Sequence, residues 1–146
     1  MNTGHEGSIT TLHANTPVDA INRLETMILM NDMEIPVSAI RNYIENAIDL
    51  VIQIDRLSDG KRKITNISEL NGVNDGVWDL NSIFEFNAEL ITEDGQVHGS
   101  YVQNKGIPKC IAKIIANGIN DLTDIFKPNK KSPILSMIWG IFIFSY

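Results

Sequence analysis

The apolar positions of this chain change period several times, and each change marks an element. Val18, Ile21, Leu24 and Ile28 recur at helical spacing, with Asp19 and Arg23 one turn apart on the other side. Thr16 before Pro17 suits a helix start, because Thr accepts a hydrogen bond as N-cap and Pro at the first position sacrifices no N–H that the helix would use. An amphipathic helix packed on a sheet is expected from Pro17 to about Met30. A second helix is expected from near Pro36, with Val37, Ile40, Ile44 and Ala47 on one stripe. The period then shortens to two. Leu50, Ile52 and Ile54 alternate with Val51, Gln53 and Asp55, Asp59-Gly60 accepts the positive φ of a tight turn, and a return strand runs from Arg62 to Leu70.

On either side of these elements the pattern is shorter. Ser8 to Ala14 (SITTLHA), rich in Thr and Ile behind Gly7, reads as a short buried strand. After the Asn74-Asp75-Gly76 turn signal, Trp78, Leu80, Ser82, Phe84 and Phe86 fall on one side of a period-two stretch, which predicts one heavily apolar strand face. A turn at Glu93-Asp94-Gly95 leads to a shorter strand, Val97 to Val102. A last helix is expected from Pro108, burying Ile111, Ile114 and Ile115 and stopping at Gly118, with one more helical turn between Asp121 and Phe126. The order strand, helix, helix, hairpin is that of the end of an α/β sheet.

Composition narrows the functional classes. With 146 residues, 43% of them apolar and 21% charged, the chain has the makeup of an ordinary globular domain. A net charge of −6 argues against sequence-independent nucleic-acid binding, which draws its affinity from Lys and Arg on phosphates. Cys110 is the single cysteine, so no intrachain disulfide forms, and a cytoplasmic setting is the default expectation. Met1 to Gly7 has neither the basic start nor the apolar stretch of a signal peptide. The stretch ILSMIWGIFIFSY, Ile134 to Tyr146, would reach only about 20 Å as a helix against about 30 Å of bilayer hydrocarbon, and reads as an atypical apolar tail.

Chemistry concentrates near the N-terminus, where NTGHEGSITTLHAN (Asn2–Asn15) holds two of the three histidines. His5-Glu6 opens a zincin-like pattern, but position 9 is Ile where the second histidine would stand, so no metal site is expected. Read alone, His13 is a strand-end histidine bonded to backbone. A phosphate-binding loop is missing from the sequence: the only Gly-Lys pair, Gly60-Lys61, is followed by Arg62 and sits in a hairpin. No strand ends in an acidic residue suited to hold Mg²⁺. Met27, Met30 and Met33 read as core filler and Cys110 as a small buried hydrophobe. Arg23 and Arg41 read as surface helix residues.

Taken in order, NTGHEGSITTLHAN (Asn2–Asn15), DAINRLETMILM (Asp19–Met30), IPVSAIRNYIENAIDLVIQIDRL (Ile35–Leu57) and DGKRKITNISEL (Asp59–Leu70) resemble the motor ATPases of type II and type IV secretion systems, most closely the Flp/Tad pilus-assembly (CpaF) type. The likeness continues more weakly to Phe126. It implies an α/β fold in which residues 1–70 form the C-terminal part of a RecA-like (P-loop NTPase) domain. Residues 71–126 would form a small α+β extension, followed by the tail at 127–146. It also implies a hexameric ring that couples ATP hydrolysis to pilus assembly or export, with ATP and Mg²⁺ between subunits, a platform protein of the inner membrane as partner, and a cytoplasmic place peripheral to that membrane. His13, supported by His5, matches the family's histidine box and would sense the γ-phosphate. Arg56 and Arg62 match arginines near the nucleotide and the subunit boundary, against the plainer reading of a solvated hairpin edge. The family's nucleotide loop lies upstream of the Asn-Thr-Gly-His string, so the resemblance implies a truncated or split reading frame, or an internal start, that is inactive alone. The other reading is a non-catalytic module that docks on an intact motor or its platform.

Overall fold

The computed structural model describes residues 9–31, 34–104 and 107–119. Three helices and four strands follow in the order α1 (Pro17–Leu29), α2 (Val37–Ala47), β1 (Leu50–Arg56), β2 (Arg62–Asn74), β3 (Val77–Ile91), β4 (Val97–Gln103) and α3 (Ile111–Ala116). The strands form one sheet in sequence order, and all three pairings are antiparallel. This is a mixed α/β arrangement built on a meander.

The helix start was legible. Thr16 is extended, its hydroxyl accepts the Asp19 N–H at 3.1 Å, and Pro17 occupies the first turn. The apolar stripes of α1 and α2 then meet the sheet. Ile21, Ile40, Ile44, Leu70 and Trp78 form the buried core, with Leu24, Ile28, Val51 and Leu80 packed against it. Each such aliphatic side chain contributes about 1.5–3 kcal/mol when fully buried. The turns sit where Asp-Gly pairs predicted them: Gly60 has φ +78°, and at the β2–β3 turn Asp75 and Gly76 both have positive φ.

Four expectations give way. Residues 9–14 of the SITTLHA stretch form no strand; Ser8 lies outside the described residues. Every described strand finds its ladder partner among β1 to β4, and the stretch is held by side chains instead. The apolar face of β3 also breaks in the middle. Ser68 pairs with Ser82 while its neighbour Ile67 pairs with Phe84, so Ile83 is an extra residue that shifts the phase. Trp78 and Leu80 therefore face the helices, whereas Phe84 lies on the other face, where Phe86 stacks edge-on against Tyr101 at 5.3 Å. Finally, β2 runs four residues past Leu70, bending at Gly72 (φ +113°), and α3 is a short helix in which no residue is fully buried and Ile115 is exposed. The Asp121–Phe126 turn and the apolar tail lie outside the described residues. Among the described residues no helix is long and apolar enough to cross a membrane.

Candidate functional site

The entrance to α1 organises the strongest candidate. Because Thr16 caps the helix, Asp19 and Arg23 lie on its outer side, one turn apart, facing the segment that leads in. Arg23 Nη1 donates to the His13 carbonyl at 2.8 Å. From the sheet side, Gln53 Nε2 lies 3.4 Å from the Ala14 carbonyl and 3.5 Å from that of Asn15, while donating at 2.9 Å to Asp55 Oδ1. Asp55 Oδ2 in turn accepts from the Thr65 hydroxyl. His13, Ala14, Asn15, Asp19 and Arg23 line an open depression of about 270 Å³. His13 is exposed there, with its main chain held and its imidazole toward solvent. The His13 imidazole, the Asn15 amide and the Arg23 guanidinium can contact an anionic group such as a phosphate, with the Asp19 carboxylate opposing it on the same surface. They do not amount to a cradle, which would need consecutive backbone N–H groups in a Gly-rich turn.

The hairpin arginines are arranged differently. Arg56 and Arg62 are directly opposite in the β1–β2 ladder and both are exposed. Like charges so placed repel each other. Arg56 is turned onto its own hairpin: Nε donates to the Gly60 carbonyl at 3.1 Å, and Nη2 sits 3.5 Å from where a Gly60 Cβ would lie. Neither arginine lines the depression around His13, although Gln53 joins that segment to the same strand three residues before Arg56. His5 lies outside the described residues.

One cluster went unread in the sequence. Glu25 is 7% exposed, and its carboxylate accepts from Arg41 Nε at 2.7 Å and from the Trp78 indole N–H at 2.8 Å, while the Arg41 guanidinium lies 5.9 Å from the Trp78 ring centre. Arg41 is thus a half-buried tie between helix and sheet, in place of the surface residue expected. The signal for Glu25 was its phase: it falls four residues after Ile21, on the apolar stripe of α1.

A second, smaller depression of about 110 Å³ lies between the end of α2, β2 and α3. Lys113 pairs with Asp49 at 2.6 Å, and the buried Glu69 accepts the Cys110 N–H at 2.8 Å. Burial, aided by the charges of Glu69 and Asp49, pushes the Cys110 thiol up to about 11. Such a thiol is a poor nucleophile at neutral pH. Among the described residues no three His, Cys, Asp or Glu side chains are grouped to hold a metal ion.

Comparison with known proteins supplies the remaining context. The family model described as type II/IV secretion system protein matches residues 1–133. Over 61 residues the chain is 36% identical to the conjugal transfer protein TrbB of Rhizobium radiobacter, a stretch that is 42% of this chain and 18% of that protein. Over 81 residues it is 30% identical to the probable conjugal transfer protein TrbB of Sinorhizobium fredii (strain NBRC 101917 / NGR234), 56% of this chain and 23% of the relative. The matches thus span about a fifth of the length of these curated relatives.

Proposed function

The chain belongs to the type II/IV secretion system protein family, and from that premise we propose that it is the histidine-bearing C-terminal part of a secretion motor ATPase. In this reading residues 1–70 belong to a RecA-like motor domain and residues 71–126 extend it. The motor is a hexameric ring on the cytoplasmic side of the inner membrane, working with a membrane platform protein to drive pilus subunits or exported cargo. The pieces of sequence similar to the Flp/Tad motors favour pilus assembly, and the names of the two curated relatives favour a conjugal transfer apparatus. Both are members of one mechanical class.

The observation that carries the reading is the match over residues 1–133 combined with the placement of His13 on an open surface between Asn15 and Arg23. A bound nucleotide would supply the scissile phosphoanhydride and the negative charge to be stabilised, and Mg²⁺ would neutralise part of that charge. The described residues fit one edge of that group and not the whole of it. His13 can approach a terminal phosphate, whereas the phosphate loop and the Mg²⁺ carboxylates have no counterpart in this sequence. Arg62, exposed on the hairpin, is available to an anionic group of a neighbouring subunit, whereas Arg56 would have to leave the Gly60 carbonyl to reach one.

The test joins an upstream half from a related motor to this chain. His13→Ala should lower turnover by about tenfold to a thousandfold, about 1.4–4 kcal/mol of barrier. Nucleotide affinity should change far less, because a γ-phosphate contact strengthens as charge redistributes in the transition state. Near-wild-type turnover in a stable mutant removes His13 from the site. A docking module without catalysis would show no response to His13→Ala in the rebuilt motor, yet would bind the intact motor or its platform.

A further inference from the structure

Among the described residues the segment carrying His13 joins no β-ladder, and its carbonyls are claimed one after another by side chains from two different elements. The geometry points to Arg23 and Gln53 as positioning residues: a two-sided clamp on the backbone of His13, Ala14 and Asn15 that aims the His13 imidazole outward. Arg23 reaches from α1 with a charge-assisted bond of 2.8 Å to the His13 carbonyl. Gln53 reaches from β1 with longer contacts of 3.4 and 3.5 Å to the next two carbonyls, and its amide is itself oriented by Asp55 at 2.9 Å. Asp55 is tied to Thr65, which is the unpaired residue of the bulge between the Ile54–Ile64 and Gln53–Asn66 pairs. The bulge thus places a hydroxyl where it fixes the acceptor that orients the clamp. Arg23 acts through the backbone, and among the described residues neither imidazole nitrogen is engaged, so both are open to a ligand. The clamp itself stands on these bonds; its purpose, presenting His13 to a ligand, rests on the reading of His13 as a phosphate contact.

The division of labour is unequal. The guanidinium bond is short and ionic on one side, while the Gln53 contacts are long and share one amide among three acceptors. Removal of Arg23 should therefore release His13, and removal of Gln53 should loosen mainly Ala14 and Asn15.

The experiment is backbone ¹⁵N relaxation on the whole chain without nucleotide. In the parent, the amides of residues 13–15 should show order parameters near the rigid value of about 0.85, and Arg23→Ala should lower them toward about 0.6. The order of α1 and α2 and the melting temperature should stay as they were, because Arg23 is exposed and outside the core. Arg23→Lys, which keeps a cationic donor, should restore part of the order, and Gln53→Ala should move residues 14 and 15 alone. Unchanged order parameters in Arg23→Ala overturn the clamp, as does a loss spread evenly over the helices. His13→Ala should leave the backbone ordered, since the clamp grips the carbonyl. A rebuilt motor indifferent to His13→Ala would thus remove the phosphate reading and leave the clamp standing, while a failed relaxation experiment would do the reverse.

Discussion

Glu25 carries more of the fold than its residue type suggests. A carboxylate in an apolar stripe is costly unless its oxygens are satisfied, and here one oxygen meets Arg41 and the other the Trp78 indole. Glu25→Ala should destabilise the chain by about 3 kcal/mol, since it strands a half-buried guanidinium and a buried N–H together. Glu25→Gln should cost less, because its amide oxygen still accepts one of the two donors. Urea unfolding of both variants decides this, and equal losses would show that packing alone matters at position 25. Cys110 offers a second test at this scale. With its thiol raised from about 9.0 to about 11, reaction with a thiol reagent at pH 8 should be roughly a hundredfold slower than for an unfolded control. The residue types at His13 and Arg56 were legible in the sequence; their partners were not. A histidine whose carbonyl is held by an arginine ten residues away and an arginine folded onto its own turn are outcomes of tertiary placement that no local spacing records.

Elements were read well where the local chemistry is decisive. Thr16-Pro17 caps α1, and the Asp-Gly pairs at residues 59–60 and 75–76 form the turns they announce. Bulges escaped, because an extra residue such as Ile83 has no composition of its own and reveals itself only as a broken register. Gly99 shows how closely the last hairpin is packed. A Cβ there would lie 2.1 Å from the Asn87 carbonyl oxygen and 2.7 Å from the Phe86 ring, so the backbone of β3 must move to admit it. Gly99→Ala should cost about 1–3 kcal/mol and loosen β4 first, read as faster amide exchange in Val97–Gln103 than in β1. The two hairpin tips are joined by Asp59, which accepts from the N–H groups of Lys61 at 2.9 Å and Val97 at 3.1 Å. The Lys61 bond leads in holding its carboxyl below the ordinary 3.8, with Lys61 and Lys63 nearby. A depressed folded pKa means that this contribution is present above pH 3.8 and is lost as pH falls through the lower, folded value. Asp59→Asn should remove that part of the acid sensitivity, checked by melting temperature against pH.

At the scale of the molecule, two helices cover one end of a four-stranded antiparallel meander, and the segment carrying His13 lies along the opening of the first helix. The purified chain should show no ATP turnover above background, because the electrostatic stabilisation of the transferring phosphoryl resides in groups that this sequence lacks. Sustained hydrolysis by the chain alone would overturn the proposed division of the motor. Mixed α/β character was legible from the alternation of periods. The antiparallel β1–β2 pairing was legible in the Asp59-Gly60 turn, whereas the union of all four strands in one sheet in sequence order was not.

The bond between Trp78 and Glu25 spans 53 residues of chain, while each strand pairs with its neighbour in sequence across a short turn. During synthesis, α1 and α2 therefore leave the ribosome before the strand that buries them exists. The sheet can zip hairpin by hairpin as it emerges, and the helices dock only once Trp78 arrives. Breaking the Glu25 tie should accordingly speed unfolding and leave the folding rate nearly unchanged, whereas disrupting the Asp75-Gly76 turn should slow folding itself.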